Sequence, residues 1–203
     1  MLKAPEREKE GLKWVSEAQT AMSADESWVV LGAGLANHKI LVWDYKTGTL
    51  KAALPHASRL FYLSFSRKGQ YLFGGGNEVR KDYLGRGVLD IWDTKSWKLI
   101  REIEVDDFEV RPVLDLPEED MVLSVDSLRT PTAGNNIQFK TFINGYSIRT
   151  GERIVSFETG LARDGWCTSA LYLDDMGTIC IGGADGRISF FAVEEVLKHK
   201  TKK

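Results

Sequence analysis

Cysteine occurs only twice in the 203 residues, at Cys167 and Cys180, and their spacing fits neither a CxxC motif nor a disulfide framework. Two reduced, packed thiols are the expectation. Histidine is almost as scarce. His38, His56 and His199 fall in a loop, a connection and a charged tail, so neither a zinc set nor a Ser-His-Asp triad is suggested. No apolar run approaches the roughly 20 residues that cross a bilayer. The opening MLKAPEREKE is charged where a secretory signal needs an apolar stretch. A soluble, cytoplasmic chain with no membrane partner is expected. Charge of one sign is missing too: 27 Lys and Arg face 29 Asp and Glu, a net of −2. Such a balance supplies no field to draw nucleic acid or a polyanionic substrate.

What is present is globular in kind. The hydrophobic share of 43% and charged share of 28% lie close to the ordinary values of roughly 45 to 50% and 25%. The length suits one domain or two small ones, at about 100 to 200 residues each. One element recurs: an apolar strand ending in an aromatic, a polar residue, a Thr-Gly or similar turn, then another strand. Its copies are ILVWDYKTGTLKAAL from Ile40, VLDIWDTKSWKLIREI from Val88 and FINGYSIRTGERIVSF from Phe142, with a degraded fourth, ISFFAVEEV, from Ile188. The anchor aromatics Trp43, Trp92, Tyr146 and Phe191 recur at about 45 to 54 residues, close to the roughly 40 to 50 of a propeller blade. Before each anchor stand two alternating runs joined by a tight polar turn, such as LFYLSFS, RKGQ and YLFGGG. That alternation is what half-buried antiparallel strands require, so four strands per unit are predicted.

These residues resemble the WD-repeat β-propellers. In the second unit Pro55-His56 stands where the family has Gly-His. Leu60, Leu63 and Phe65 follow at its apolar spacing, then Ser66-Arg67-Lys68-Gly69 for its polar turn, and Ile91-Trp92-Asp93 closes the unit. Ala184-Asp185-Gly186-Arg187-Ile188 is similar to the family's lead-in to a third strand. The resemblance covers about residues 12 to 193. It implies an all-β fold of the β-propeller, WD-repeat type, with four blades of four-stranded antiparallel sheet forming a partial ring. The divisions expected are a charged leader (1–11), blades at 12–55, 56–107, 108–159 and 160–196, and a basic tail (197–203) read as solvated. The family's histidine slot reads Lys13, His56, Asp107 and Asp164, and beside His56 and Trp92 the family's Asp is displaced by an insertion. Blades held mainly by apolar packing, with fewer buried polar bonds, are therefore expected. Closed propellers need about 4 to 8 blades. Three ways of completing the ring stay open: pairing with a second copy, blades from another chain or another part of this one, or closure by four blades alone.

No catalytic constellation emerges. Glu17, Asp107 and Asp115, near the innermost strands, read as solvated strand-end carboxylates. Gly32-Ala33-Gly34 and Gly74-Gly75-Gly76 precede strand patterns, whereas a phosphate loop opens a helix. Neither an enzyme nor any cofactor or metal is expected. The irregularity that points to function is the growth of the two middle units between their second and third strands, at Asn77–Arg86 and Ser127–Asn136. In a propeller these connections share one face. Arg80, Tyr83, Arg86 and Arg129 within them are residue types enriched at hot spots. The reading is a non-enzymatic interaction scaffold for protein or peptide partners, itself open to homo-oligomerisation or to a complementing propeller half. The alternative is a non-catalytic segment of a larger propeller enzyme or ligand sensor.

Overall fold

The structure, a computed structural model, describes residues 18–33, 39–56, 59–78, 86–105, 109–116, 120–131, 137–161 and 167–201. They form four antiparallel sheets in chain order. The first holds β1 (Ala18–Met22), β2 (Trp28–Ala33), β3 (Lys39–Asp44) and β4 (Leu50–Pro55). The second holds β5 (Arg59–Phe65), β6 (Tyr71–Asn77), β7 (Gly87–Asp93) and β8 (Lys98–Val105). The third holds β9 (Glu109–Leu116), β10 (Met121–Pro131), β11 (Ile137–Ser147) and β12 (Arg153–Glu158). The fourth holds β13 (Cys167–Leu173), β14 (Thr178–Gly183) and β15 (Ile188–Ala192). Each strand pairs with its neighbour in sequence, because short polar turns permit only antiparallel return.

The repeated sequence element is a repeated hydrogen-bonding unit. Two residues after each anchor aromatic, a backbone N–H donates to a carbonyl of the first hairpin turn in the same sheet: Tyr45 to Ser27, Thr94 to Gln70, Ile148 to Asp120 and Val193 to Gly177. The turns after β3, β7 and β11 are likewise equivalent. Gly48, Trp97 and Gly151 donate to the carbonyls of Asp44, Asp93 and Ser147, each at 2.8 Å. The four anchors therefore stand in the same register.

Cores lie between consecutive sheets. Val30, Ile40, Val42 and Leu54 of the first sheet meet Leu60, Leu63, Leu72 and Trp92 of the second. The opposite face of the second sheet carries Phe73, Leu89, Ile91, Ile103 and Val105 against Val110, Val122, Tyr146 and Ile148 of the third. Leu123, Val125, Ile143 and Val155 then meet Cys167, Ile179 and Ile181 of the fourth. Middle sheets are covered on both faces, so β7 reads as a continuous apolar run with little alternation, GVLDIWD, buried almost throughout. The first strands of consecutive sheets are in contact, β1 with β5, β5 with β9 and β9 with β13, and β6 also packs against β9. At their ends the Arg67 N–H donates to Asp115 Oδ2 at 2.9 Å, and the Arg67 guanidinium pairs with Asp174 and lies over the Tyr172 ring, 5.0 Å from its centroid. Thus β5, β9 and β13 converge, although no extensive packing joins the first sheet to the fourth among the described residues.

Three expectations need correction. Among the described residues the fourth unit has three strands, not four. After Ala192 the chain turns into α1 (Val193–Leu197), whose Val196 is fully buried in the core between the third and fourth sheets. The exposed residues just beyond it, 199–201, also pair with the third sheet. Lys200 bridges Val155, the Ser156 N–H donates to His199 O, and the Thr201 N–H donates to Ile154 O, which adds a short rung to the outer edge of β12. Second, Ser127–Asn136 is not all loop: β10 continues to Pro131 and pairs with β11 from Leu128↔Lys140 to Pro131↔Ile137. Third, the carboxylate partner of His56 is present. His56 Nδ1 lies 2.5 Å from Asp90 Oδ2, both side chains buried and the imidazole beside Trp92. A second buried set lies in the third sheet, where Ser124 Oγ and Asn144 Nδ2 both donate to Asp126 Oδ2, at 2.8 and 2.6 Å. Buried polar bonds thus anchor both middle sheets, because strand positions on the packed face take any side chain whose partner is also on that face.

Candidate interaction surface

The two ends of the sheet series differ. At one end a groove of about 310 Å³ is lined by Tyr71, Ile100, Arg101, Asp120, Ile148 and Arg149. Arg101 spans the second and third sheets there, donating through Nε to Arg149 O at 3.2 Å. Because Tyr71 opens β6 and Asp120 precedes β10, both strands leave from this end. Their far ends, where the two enlarged connections begin, must lie together at the other.

At that other end the second sheet's connection is closed at its base by the Glu78 N–H donating to Arg86 O at 2.8 Å. Arg86 is exposed and pairs with Glu104 on β8. Arg80 and Tyr83 lie outside the described residues. In the third sheet β9 last pairs at Ser127↔Glu109 and β12 first at Phe142↔Glu158. Among the described residues the β10–β11 ribbon therefore continues past the pairing of its own sheet as a two-stranded arm. Arg129 stands on that arm, opposite Phe139. At its base Lys140 Nζ reaches Glu158 Oε1 at 3.1 Å.

The fourth sheet adds features that the sequence reading left out of the site. Thr141, Leu161, Cys167, Asp185 and Arg187 help line a cavity of about 170 Å³ at this same end. Arg187 is almost fully exposed, with Nε 3.6 Å from Asp185 Oδ2. The tight Asp185-Gly186 turn was the available signal, legible only as a lead-in to a strand. Burial pushes the Cys167 thiol up to about 12, so it enters the cavity wall as a neutral group.

Of the carboxylates weighed for catalysis, Asp115 alone lies among the described residues. Asp115 accepts the Arg67 N–H at a strand end. Glu17 and Asp107 lie outside the described residues, as do Lys13, Asp164 and His38. Among the described residues no cluster of three His, Cys, Asp or Glu side chains could hold a metal ion, and no helix is long and apolar enough to cross a membrane. No protein-family model matches the chain, and no curated protein matches it.

Proposed function

We propose that this protein is a non-enzymatic interaction scaffold of WD-repeat type, a propeller-like arc of four sheets that binds a protein or peptide at the end bearing the β6–β7 and β10–β11 connections. The observation that carries the reading is the β10–β11 ribbon, which among the described residues extends past the pairing of β9 and β12. An arm outside the sheet contributes little to the fold, and loops presented by rigid sheets are where binding surfaces arise. The four equivalent anchor bonds and the convergence of β5, β9 and β13 through Arg67 support the propeller-like arrangement. Free Cys167 and Cys180 fit the reducing cytoplasm.

The exposed ion pairs Arg86–Glu104, Lys140–Glu158 and Arg187–Asp185 are each worth about 0 to 1 kcal/mol. Their cations can therefore exchange an internal carboxylate for a partner's at little cost. By residue type Arg80 and Arg86 can offer a partner planar donor forks and Tyr83 a stiff aromatic surface, with Arg129 of the β10–β11 ribbon as a further donor fork. The test is titration calorimetry of a partner isolated with the intact chain. Replacing Arg80, Tyr83 and Arg86 together with Ala is expected to weaken binding by at least about 2 kcal/mol, the hot-spot scale, with thermal stability nearly unchanged. Arg129→Ala tests the arm separately. Unaltered affinity in both variants would remove the reading.

A further inference from the structure

The outer strands β4, β8 and β12 carry the same irregularity at the same place. In each, one residue is left over where the register steps beside the anchor aromatic: Lys51, Ile100 and Ile154. A bulge leaves its extra residue outside the ladder, here on a strand with no further neighbour in its own sheet. The three edges are finished differently. On β12 the bulge is covered by an extended segment of chain. The Thr201 N–H donates to Ile154 O, the Ser156 N–H donates to His199 O, and Lys200 stands opposite Val155 in an antiparallel bridge. On β4 the extra residue is itself a cation, Lys51, with Nζ 3.9 Å from Asp44, and a charge at an edge keeps another strand off. On β8 neither device is present among the described residues. Lys98 to Glu102 are exposed without interruption, Leu99 by 42% and Ile100 by 37%.

Beside this bare bulge lies the groove lined by Tyr71, Ile100, Arg101 and Arg149. Among the described residues the Arg101 guanidinium donates to carbonyls alone, through Nη1 to Ile100 O at 3.1 Å and through Nε to Arg149 O at 3.2 Å. The ion pairs of the described residues include neither Arg101 nor Arg149. Two guanidinium charges thus share the groove wall with one carboxylate, Asp120.

We infer that the β8 edge binds an extended acidic peptide segment of another protein, added as a further strand of the second sheet in the register that the tail uses on β12. Strand addition of this kind takes its affinity from main-chain bonds and its selectivity from side chains. The shared bulge sets the register, with Ile100, Arg101 and Glu102 corresponding to Ile154, Val155 and Ser156. The peptide residue opposite Arg101 supplies a carboxylate, a cross-strand ion pair. The N–H of the residue after it donates to Ile100 O in place of Arg101 Nη1, and the Glu102 N–H donates to the carbonyl of the residue before it. Aliphatic side chains of the peptide cover Leu99 and Ile100. Residues preceding the carboxylate run beside Glu102 and Glu104, so the segment is neutral there. The tail of a second copy does not fit: Lys198, Lys200, Lys202 and Lys203 would bring like charge to Arg101 and Arg149. This site lies at the end opposite the arm, so it can fail without the function proposed above failing, and the reverse.

The probe is a fluorescein-labelled peptide alternating Glu with Val and Leu, blocked at both termini and titrated with the full chain by fluorescence anisotropy. Saturable binding is expected with a Kd below about 1 mM, at least tenfold tighter than for the same peptide with Lys in place of Glu. Ile100→Lys, which copies the edge of β4, and Arg101→Glu are each expected to weaken binding at least tenfold with the thermal midpoint unchanged. Hydrogen exchange on the unaltered chain decides the matter should a variant not fold. At saturating peptide the Glu102 amide is expected to exchange at least tenfold more slowly, while Ala53, its counterpart on β4, is unaffected. Absence of binding overturns the inference, as does equal affinity for the Glu and Lys peptides or an unchanged rate at Glu102. Binding that survives Ile100→Lys but is lost in Arg129→Ala also overturns it, since the peptide would then sit on the arm-bearing end.

Discussion

Two positions before the anchor aromatics stand Leu41, Asp90, Asn144 and Ser189, and only in the two middle sheets is that position both buried and strongly polar. The reason is partnership: Asp90 meets His56, and Asn144 meets Asp126. Asp90→Ala leaves His56 buried without its carboxylate and is expected to cost about 3 kcal/mol, the scale for breaking one side of a buried pair, read as a lowered urea midpoint. Trp92→Ala removes a fully buried aromatic at about 3 to 5 kcal/mol. His56 and Trp92 are visible in the sequence because their neighbours match a known spacing. Asp90 is visible only through the strand period of two that puts it on the face of Trp92. Cys167 supplies a pH dependence with a definite sign. Burial raises its thiol from 9.0 to about 12 and raises the Tyr62 hydroxyl as well. The unfolded chain loses these protons first, so the native state binds more protons and stability falls as pH rises between about 9 and 12. Urea midpoints at pH 8 and 10 are expected to show that fall, and Cys167→Ala to make it shallower. A slope the variant leaves unchanged would assign the alkaline sensitivity to other groups.

At the scale of elements, what repeats is turn geometry. Ser23 and Ser66 occupy equivalent corners: each donates its backbone N–H to the carbonyl five residues on, and its hydroxyl oxygen accepts the return N–H, from Trp28 and Tyr71, at 2.9 Å. Within those corners Gly69 has φ +69°, and Glu26 holds the same left-handed conformation at φ 56°. A side chain costs roughly 1 to 2 kcal/mol there. Glu26→Gly is therefore expected to stabilise by about 1 kcal/mol, net of the freedom glycine gains in the unfolded chain, and Gly69→Glu to destabilise by a similar amount, both read from denaturant midpoints. No gain from Glu26→Gly would mean that the exposed Glu26 makes a compensating contact in solution. Turn signals such as Thr-Gly and Lys-Gly state their backbone conformation outright, so these corners are legible in the sequence. Trp97, at φ 53° where Gly48 and Gly151 stand in sister turns, is not legible from its own type. It is held there by edge-on packing against Trp28, ring centroids 5.3 Å apart. A Cβ at Gly32 would meet Leu60 Cδ2 at 2.1 Å, so close approach between sheets accounts for the glycine there.

For the whole molecule, the number and order of sheets follow from periodicity, but how the chain ends does not. The rung that joins the tail to β12 is made of backbone groups, plus the Thr201 hydroxyl donating to Arg153 O at 2.8 Å. Backbone pairing leaves almost no trace in side-chain type, and a stretch such as Lys198-His199-Lys200 reads as solvent-facing whether or not its amides are paired. The arm-bearing end is half legible for a related reason: the excess length of the middle connections shows in the sequence, while the division of that length between loop and ribbon depends on cross-strand pairing. The tail has an energetic role that can be isolated. Ending the chain at Leu197 keeps Val196 in the core and removes the three hydrogen bonds that join the tail to β12, Ser156 to His199, Thr201 to Ile154 and Thr201 to Arg153, together with the edge-on contact of His199 with Phe157 at 5.0 Å. At about 0.5 to 1.5 kcal/mol net per bond, the loss is on the order of 2 kcal/mol. For a chain of this size that lowers the thermal midpoint by about 5 °C. Hydrogen exchange localises the effect. The Ser156 amide, left facing water, is expected to exchange at least tenfold faster, while amides of β10, on the inner side of the sheet, keep their protection. Equal exchange at Ser156 in the full and shortened chains would show that the tail is not paired with β12 in solution, and would return residues 197–203 to a solvated terminus.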